Sequence, residues 1–259
     1  MIRLTKKQKI AITIAVVASG MLLQNSVSFE MRWWLVGALV TASFLLSVWS
    51  LYFDLVGFEF LTLFTLPTLL TATFSLFIIE FTPSLLVRLL TVLIFALTFY
   101  IMLLTKNIFN VSAERNIPLL RAAHTVGYLA TLFVSFSFFT LLFSLKPEIY
   151  ISVPVVFIIS GLLFLQALWQ IRLENRLNRE IVFSSLVGGL VTAQVTAVLS
   201  AWPLNQFAFG LAITTIVYVA LGILTHKAKK DLTKKTFLEY LLVGVSVFAF
   251  ITAVTNWGT

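Results

Sequence analysis

The 259-residue chain is 60% hydrophobic and only 11% charged, with 25 Phe and a mean hydropathy of +1.04. An ordinary soluble domain is nearer one-quarter charged, so this composition excludes a surface that faces water on all sides. It contains no cysteine and two histidines, which excludes a disulfide framework, a thiolate nucleophile and a His-built metal centre, while a net charge of +8 leaves open what the basic residues meet.

The chain opens on Arg3, Lys6, Lys7 and Lys9, followed by an apolar run from Ile10 to Leu23 that extends towards Phe29. A basic start before an apolar run also describes a signal peptide, with Val16, Val17 and Ala18 before Ser19 as the cleavage context. Eight spans would then remain instead of nine. The second run covers Trp33 to Phe53, with Trp33 and Trp34 beside Arg32 as an interfacial anchor. Asp54 and Glu59 bracket a short connection. The third run, Phe60 to Ile79, is rich in Thr and carries Pro67, which is expected to kink it. Neighbouring hydroxyls can bond the carbonyl that Pro67 frees. After Glu80, Thr82 and Pro83 read as an N-cap and first helical position. The fourth run spans Ser84 to Thr105 and contains Arg88.

Residues 106–121 form a polar stretch that reads as a cytoplasmic elbow between two helical halves of one transmembrane domain, 1–259. Asn110 or Ser112 can cap a short helix there, and Pro118 suits the first turn of the next span. The fifth run covers Ala122 to Leu145 and the sixth Ile149 to Ile171. A charged segment, Arg172 to Glu180, precedes the seventh run, Ile181 to Trp202. Pro203 breaks that run, and the eighth goes from Leu204 to Thr225. Lys227, Lys229, Lys230, Lys234 and Lys235 crowd the next loop, before a ninth run from Thr236 to Trp257. Each run is about 20 residues, enough at 1.5 Å per residue to cross a hydrocarbon core of ~30 Å.

The expected fold is therefore an all-α integral membrane protein, a polytopic bundle of about nine transmembrane helices. Charge tests the count. An even number of runs separates each basic segment from the next, so the four segments share one face. That face carries fifteen of the eighteen Lys and Arg; the other holds only Arg32, Arg88 and Lys146. By the positive-inside rule the rich face is cytoplasmic, which places the N-terminus inside and the C-terminus outside. Short loops and the lack of cysteine fit a bacterial inner membrane. The charge then sets topology and attracts anionic headgroups, at roughly 1 kcal/mol per Lys or Arg. Nothing in the pattern fits nucleic acid.

Four sets of residues are candidates for function. In the seventh run Ser185, Gly189, Ala193, Ala197 and Ala201 recur every four residues, with Ser184, Gly188, Thr192, Thr196 and Ser200 as a second row. Such a face is either a close-packing surface or, with Gln194 as polar contact, one wall of a substrate crevice. In the third run Pro67 and Thr68, near Thr65 and Ser75, pose the same choice between packing and an interrupted, site-lining helix. Glu80 and Arg88 are a candidate ion pair, since an arginine about 9 Å into its helix needs a partner or must snorkel. Glu114, Arg115, Arg121 and His124 are candidates to hold a lipid-headgroup phosphate.

No HExxH, GxSxG or Walker motif is present, no Lys sits mid-helix, and no pair of carboxylates lies inside a run. The sequence implies no cofactor, no metal and no catalytic residue, and leans away from an enzyme. The expected partners are the bilayer, an anionic lipid and another membrane protein. Three functions follow in order: a membrane-embedded scaffold or accessory subunit; a small transporter or channel for a neutral or lipid-like solute; and an enzyme acting on a lipid or polyprenyl phosphate.

Overall fold

The computed structural model describes residues 5–51, 59–81, 84–112, 119–173 and 178–255. Asp54, Thr82, Pro83, Glu114, Arg115 and Pro118, singled out above, lie outside them. The described residues are all-helical: α1 (Lys6–Leu23), α2 (Phe29–Leu51), α3 (Glu59–Phe81), α4 (Leu85–Ser112), α5 (Leu120–Ser144), α6 (Ile149–Arg172), α7 (Arg179–Leu199), α8 (Gln206–Lys229) and α9 (Lys234–Val254). Among them, nine helices are long and apolar enough to cross a membrane.

The helices begin where side chains can satisfy their first N–H groups. Thr5 caps α1 in a capping box with Gln8, which starts the helix at Lys6, ahead of the apolar run. Asn178, Asn205 and Thr233 cap α7, α8 and α9 through side-chain oxygens. The largest departure from the sequence reading is in α4. Lys106 to Ser112 are its last two turns, not the start of an elbow. Four of those seven residues are polar, but Ile108 and Phe109 continue the apolar pattern and Phe109 is fully buried.

The chain divides into two compact units, Met1–Ala130 and Thr131–Thr259, and α5 runs through the boundary. In the first unit α3 is the most buried helix and touches α1, α2 and α4. It continues unbroken through Pro67. On α2, Ser43, Ser47 and Ser50 are buried at helical spacing. Ile10, Thr13, Val17 and Met21 form the buried stripe of α1, and Thr13 Oγ1 donates across to the Leu46 carbonyl of α2 at 3.2 Å. Lys9 Nζ lies 5.1 Å from the Trp49 ring centroid, a cation–π contact between the same two helices.

In the second unit α6 packs against α7 and α8, α7 also packs on α8, and α9 touches α8. The C-cap residues Leu173 and Lys230 have positive φ, 49° and 59°, as does Lys146 just past α5, at 46°. The left-handed conformation that usually falls to glycine at a helix end is therefore held here by side-chain-bearing residues.

Candidate functional site

The α7 face resolves in the second unit. Ser185, Gly188, Gly189, Thr192, Ala193 and Thr196 are all buried. A Cβ placed on Gly189 would lie 3.0 Å from the Phe157 carbonyl oxygen, 3.1 Å from Gly161 Cα and 3.2 Å from Gly161 N. All three are backbone atoms of α6, so two helix backbones meet here with no room between them. A Cβ on Gly188 would lie 2.8 Å from the Phe164 ring. Gln194 is exposed, away from this face. One residue turns an α-helix by about 100°, so Gln194 cannot share the direction of Ala193. The structure does not bring Gln194 to the small-residue face.

Farther along, the same two rows leave α6. Thr196, Ala197, Ser200 and Ala201 line a half-open crevice of about 430 Å³. Its other walls are Phe143, Lys146 and Pro147 at the end of α5, Ile149 and Ser152 at the start of α6, and Phe209 of α8. The Phe143 and Phe209 rings stack there, centroids 4.1 Å apart and planes 15° from parallel. The hydroxyl hydrogens are already engaged. Thr196 Oγ1 donates to the Thr192 carbonyl at 2.9 Å, Ser200 Oγ to Ala197 at 2.7 Å, and Ser152 Oγ to Pro147 at 3.1 Å. What the crevice offers a ligand is the Lys146 ammonium, oxygen lone pairs and a largely apolar wall.

In the first unit Pro67 is buried and Thr68 half-buried. Thr68 Oγ1 donates to the Phe64 carbonyl at 2.7 Å, and Thr71 Oγ1 to that of Pro67 at 3.0 Å. These bonds return each hydroxyl to its own helix. The Gln24 amide reaches Ser75 Oγ, tying the end of α1 to α3.

The proposed headgroup residues are only partly described. Arg121 is exposed at the start of α5. His124, one turn later, is half-buried with its ring edge-on to Phe109, centroids 5.2 Å apart. Lys106 is buried, its Nζ 5.9 Å from the same Phe109 ring. Of the candidate ion pair, Glu80 is exposed, whereas Arg88 is half-buried and its Nε makes no hydrogen bond.

Two polar features escaped the sequence reading. Gln166 and Gln170 of α6 are buried. Gln170 Nε2 donates to Gln166 Oε1, and Gln166 Nε2 to Thr131 Oγ1 of α5, each at 2.8 Å. The i, i+4 spacing of the two glutamines was the available signal. Ser43, Ser47 and Ser50 carried the same signal in α2.

Fold and geometry together define a class: an all-helical protein whose nine described helices are each long and apolar enough to cross a membrane. Residues 55–254 match the model of a family described as proteins of unknown function, DUF5656, and the chain belongs to that family. The match takes in α3 to α9 and begins after α2. No curated protein and no solved structure matches the chain.

Proposed function

We propose that this is a multi-pass protein of a bacterial inner membrane, with its N-terminus in the cytoplasm, acting as a membrane-embedded scaffold or accessory subunit. The observation that carries the reading is the Gly189–Gly161 contact, which turns the most distinctive face in the sequence into a helix–helix joint. The helix hydroxyls support it, since those of Thr68, Thr71, Thr192 and Thr196 bond their own backbone. Lys227, Lys229, Lys230, Lys234 and Lys235 are all exposed around one connection, where an acidic protein surface or anionic headgroups can reach them.

Native mass spectrometry of the gently solubilised protein tests this. The scaffold reading expects a stoichiometric protein partner, released when those five lysines are replaced by Gln while the helices stay intact. A chain that emerges alone from membranes in which it was first cross-linked overturns it.

The crevice favours a second reading, handling of a lipid-like solute. Against a through-path, the α6–α7 joint closes the space between those helices beyond the crevice. The enzyme reading rests on Glu114, Arg115, Arg121 and His124, of which Arg121 is exposed and His124 half-buried.

A further inference from the structure

We propose that the crevice at the α5–α6 connection is a binding site for one anionic phospholipid of the outer leaflet, its phosphate on Lys146 and an acyl chain against Phe143 and Phe209. The leaflet rests on the topology proposed above; the site itself does not.

Three observations converge. The volume, about 430 Å³, lies within the range of small-ligand sites, roughly 300–1,000 Å³. The wall is mostly apolar, through Phe143, Pro147, Ile149, Ala197, Ala201 and Phe209, and its mouth is rimmed by exposed Ile149, Ser200 and Ala201, along which a chain can leave. The third is charge. Lys146 is one of only three basic residues that the alternation of helices assigns to the poor face, with Arg32 and Arg88. It is the one basic side chain lining this crevice.

The donor set distinguishes an amphiphile from a free anion. A phosphate stripped of water needs several donors. Here the Ser152, Thr196 and Ser200 hydroxyl hydrogens are committed to backbone carbonyls, leaving the Lys146 ammonium as the one side-chain donor of the wall. One cation holds an anion weakly, but the apolar wall adds the burial of a chain, which inorganic phosphate does not have. Glu148, two residues on, is exposed and begins α6 as its N-cap residue without a side-chain cap bond; it is not part of the crevice wall.

The test titrates the full-length protein in mild detergent, by native mass spectrometry, with phosphatidylglycerol and with phosphatidylcholine of the same chains. The site predicts one phosphatidylglycerol held about fivefold tighter than phosphatidylcholine, the factor expected of one lysine at a headgroup. Lys146→Gln removes that preference and Lys146→Arg keeps it. Lys7→Gln, an equal loss of charge at an exposed position in the other unit, leaves it in place. Ala201→Trp, which fills the mouth, weakens both lipids. An unchanged preference in Lys146→Gln, or no effect of Ala201→Trp, overturns the site. Displacement of the lipid by glycerol 3-phosphate overturns the lipid assignment in favour of a free anion. Because the titration is done in detergent, it fails or succeeds independently of membrane topology.

Discussion

Replacing Gly189 by Ala places one methyl group where the α6 backbone already stands. The new carbon would sit 3.0 Å from the Phe157 oxygen and 3.1 and 3.2 Å from two backbone atoms of Gly161. Carbon–carbon contacts are comfortable at about 3.5–4.0 Å, so α6 would have to retreat by about half an ångström. No side chain can rotate away, because all three atoms are backbone. Overpacking of this kind costs about 1–3 kcal/mol. Against it stands the helix propensity gained when Gly becomes Ala, about 1 kcal/mol. The net expectation is destabilisation by up to about 2 kcal/mol. Gly37, exposed in the middle of α2, has nothing within 4 Å of its would-be Cβ. Gly37→Ala should therefore stabilise, by up to about 1 kcal/mol. The assay is unfolding in mixed detergent and dodecyl sulfate micelles, followed by tryptophan fluorescence. Opposite signs for the same substitution at two helical glycines are the expected result. Equal stabilisation at both would refute the close backbone contact, and with it the joint on which the scaffold reading rests. Gly189→Leu adds three more carbons and should abolish a folded, monodisperse protein in size-exclusion chromatography.

Two further substitutions follow from the geometry. Lys230→Gly relieves a left-handed residue at the α8 C-cap; the strain released, about 1–2 kcal/mol, exceeds the extra chain entropy of glycine, so the same unfolding assay should show a gain of about 0.5 kcal/mol. Gln166→Leu breaks the Gln170–Gln166–Thr131 chain and removes the acceptor of the buried Gln170 amide, for an expected loss of about 1–3 kcal/mol, whereas Gln194→Leu, at an exposed position, should not lower stability.

Much of the helical architecture was readable from hydropathy, because a run of about 20 apolar residues has few alternatives to a helix. Each of the nine runs became one helix. The ends were less legible. Thr5 and Gln8 moved the start of α1 back to Lys6 by capping, and Ile108 and Phe109 carried α4 past Lys106, which polarity alone would have placed in a loop. The α7 face was legible because four-residue spacing fixes a direction on a helix. Gln194 was misassigned for the same geometric reason, since it is one residue out of phase with Ala193. Gln166 and Gln170 showed the right spacing, but their burial depends on Thr131 of another helix. The crevice was not legible at all. It exists because α6 and α7 touch at Gly161 and Gly189 and leave space near Ser152 and Thr196, a tertiary fact that neither helix states alone.

The absence of cysteine makes the proposed topology directly measurable. Single cysteines can be placed at exposed positions in four places: Lys7 in the first turn of α1, Ser28 between α1 and α2, Glu148 between α5 and α6, and Asp231 between α8 and α9. A membrane-impermeant maleimide applied to intact cells should label Ser28→Cys and Glu148→Cys, and should reach Lys7→Cys and Asp231→Cys only after the membrane is permeabilised. Labelling of Lys7→Cys and Asp231→Cys on intact cells, or equal labelling of all four, would contradict it.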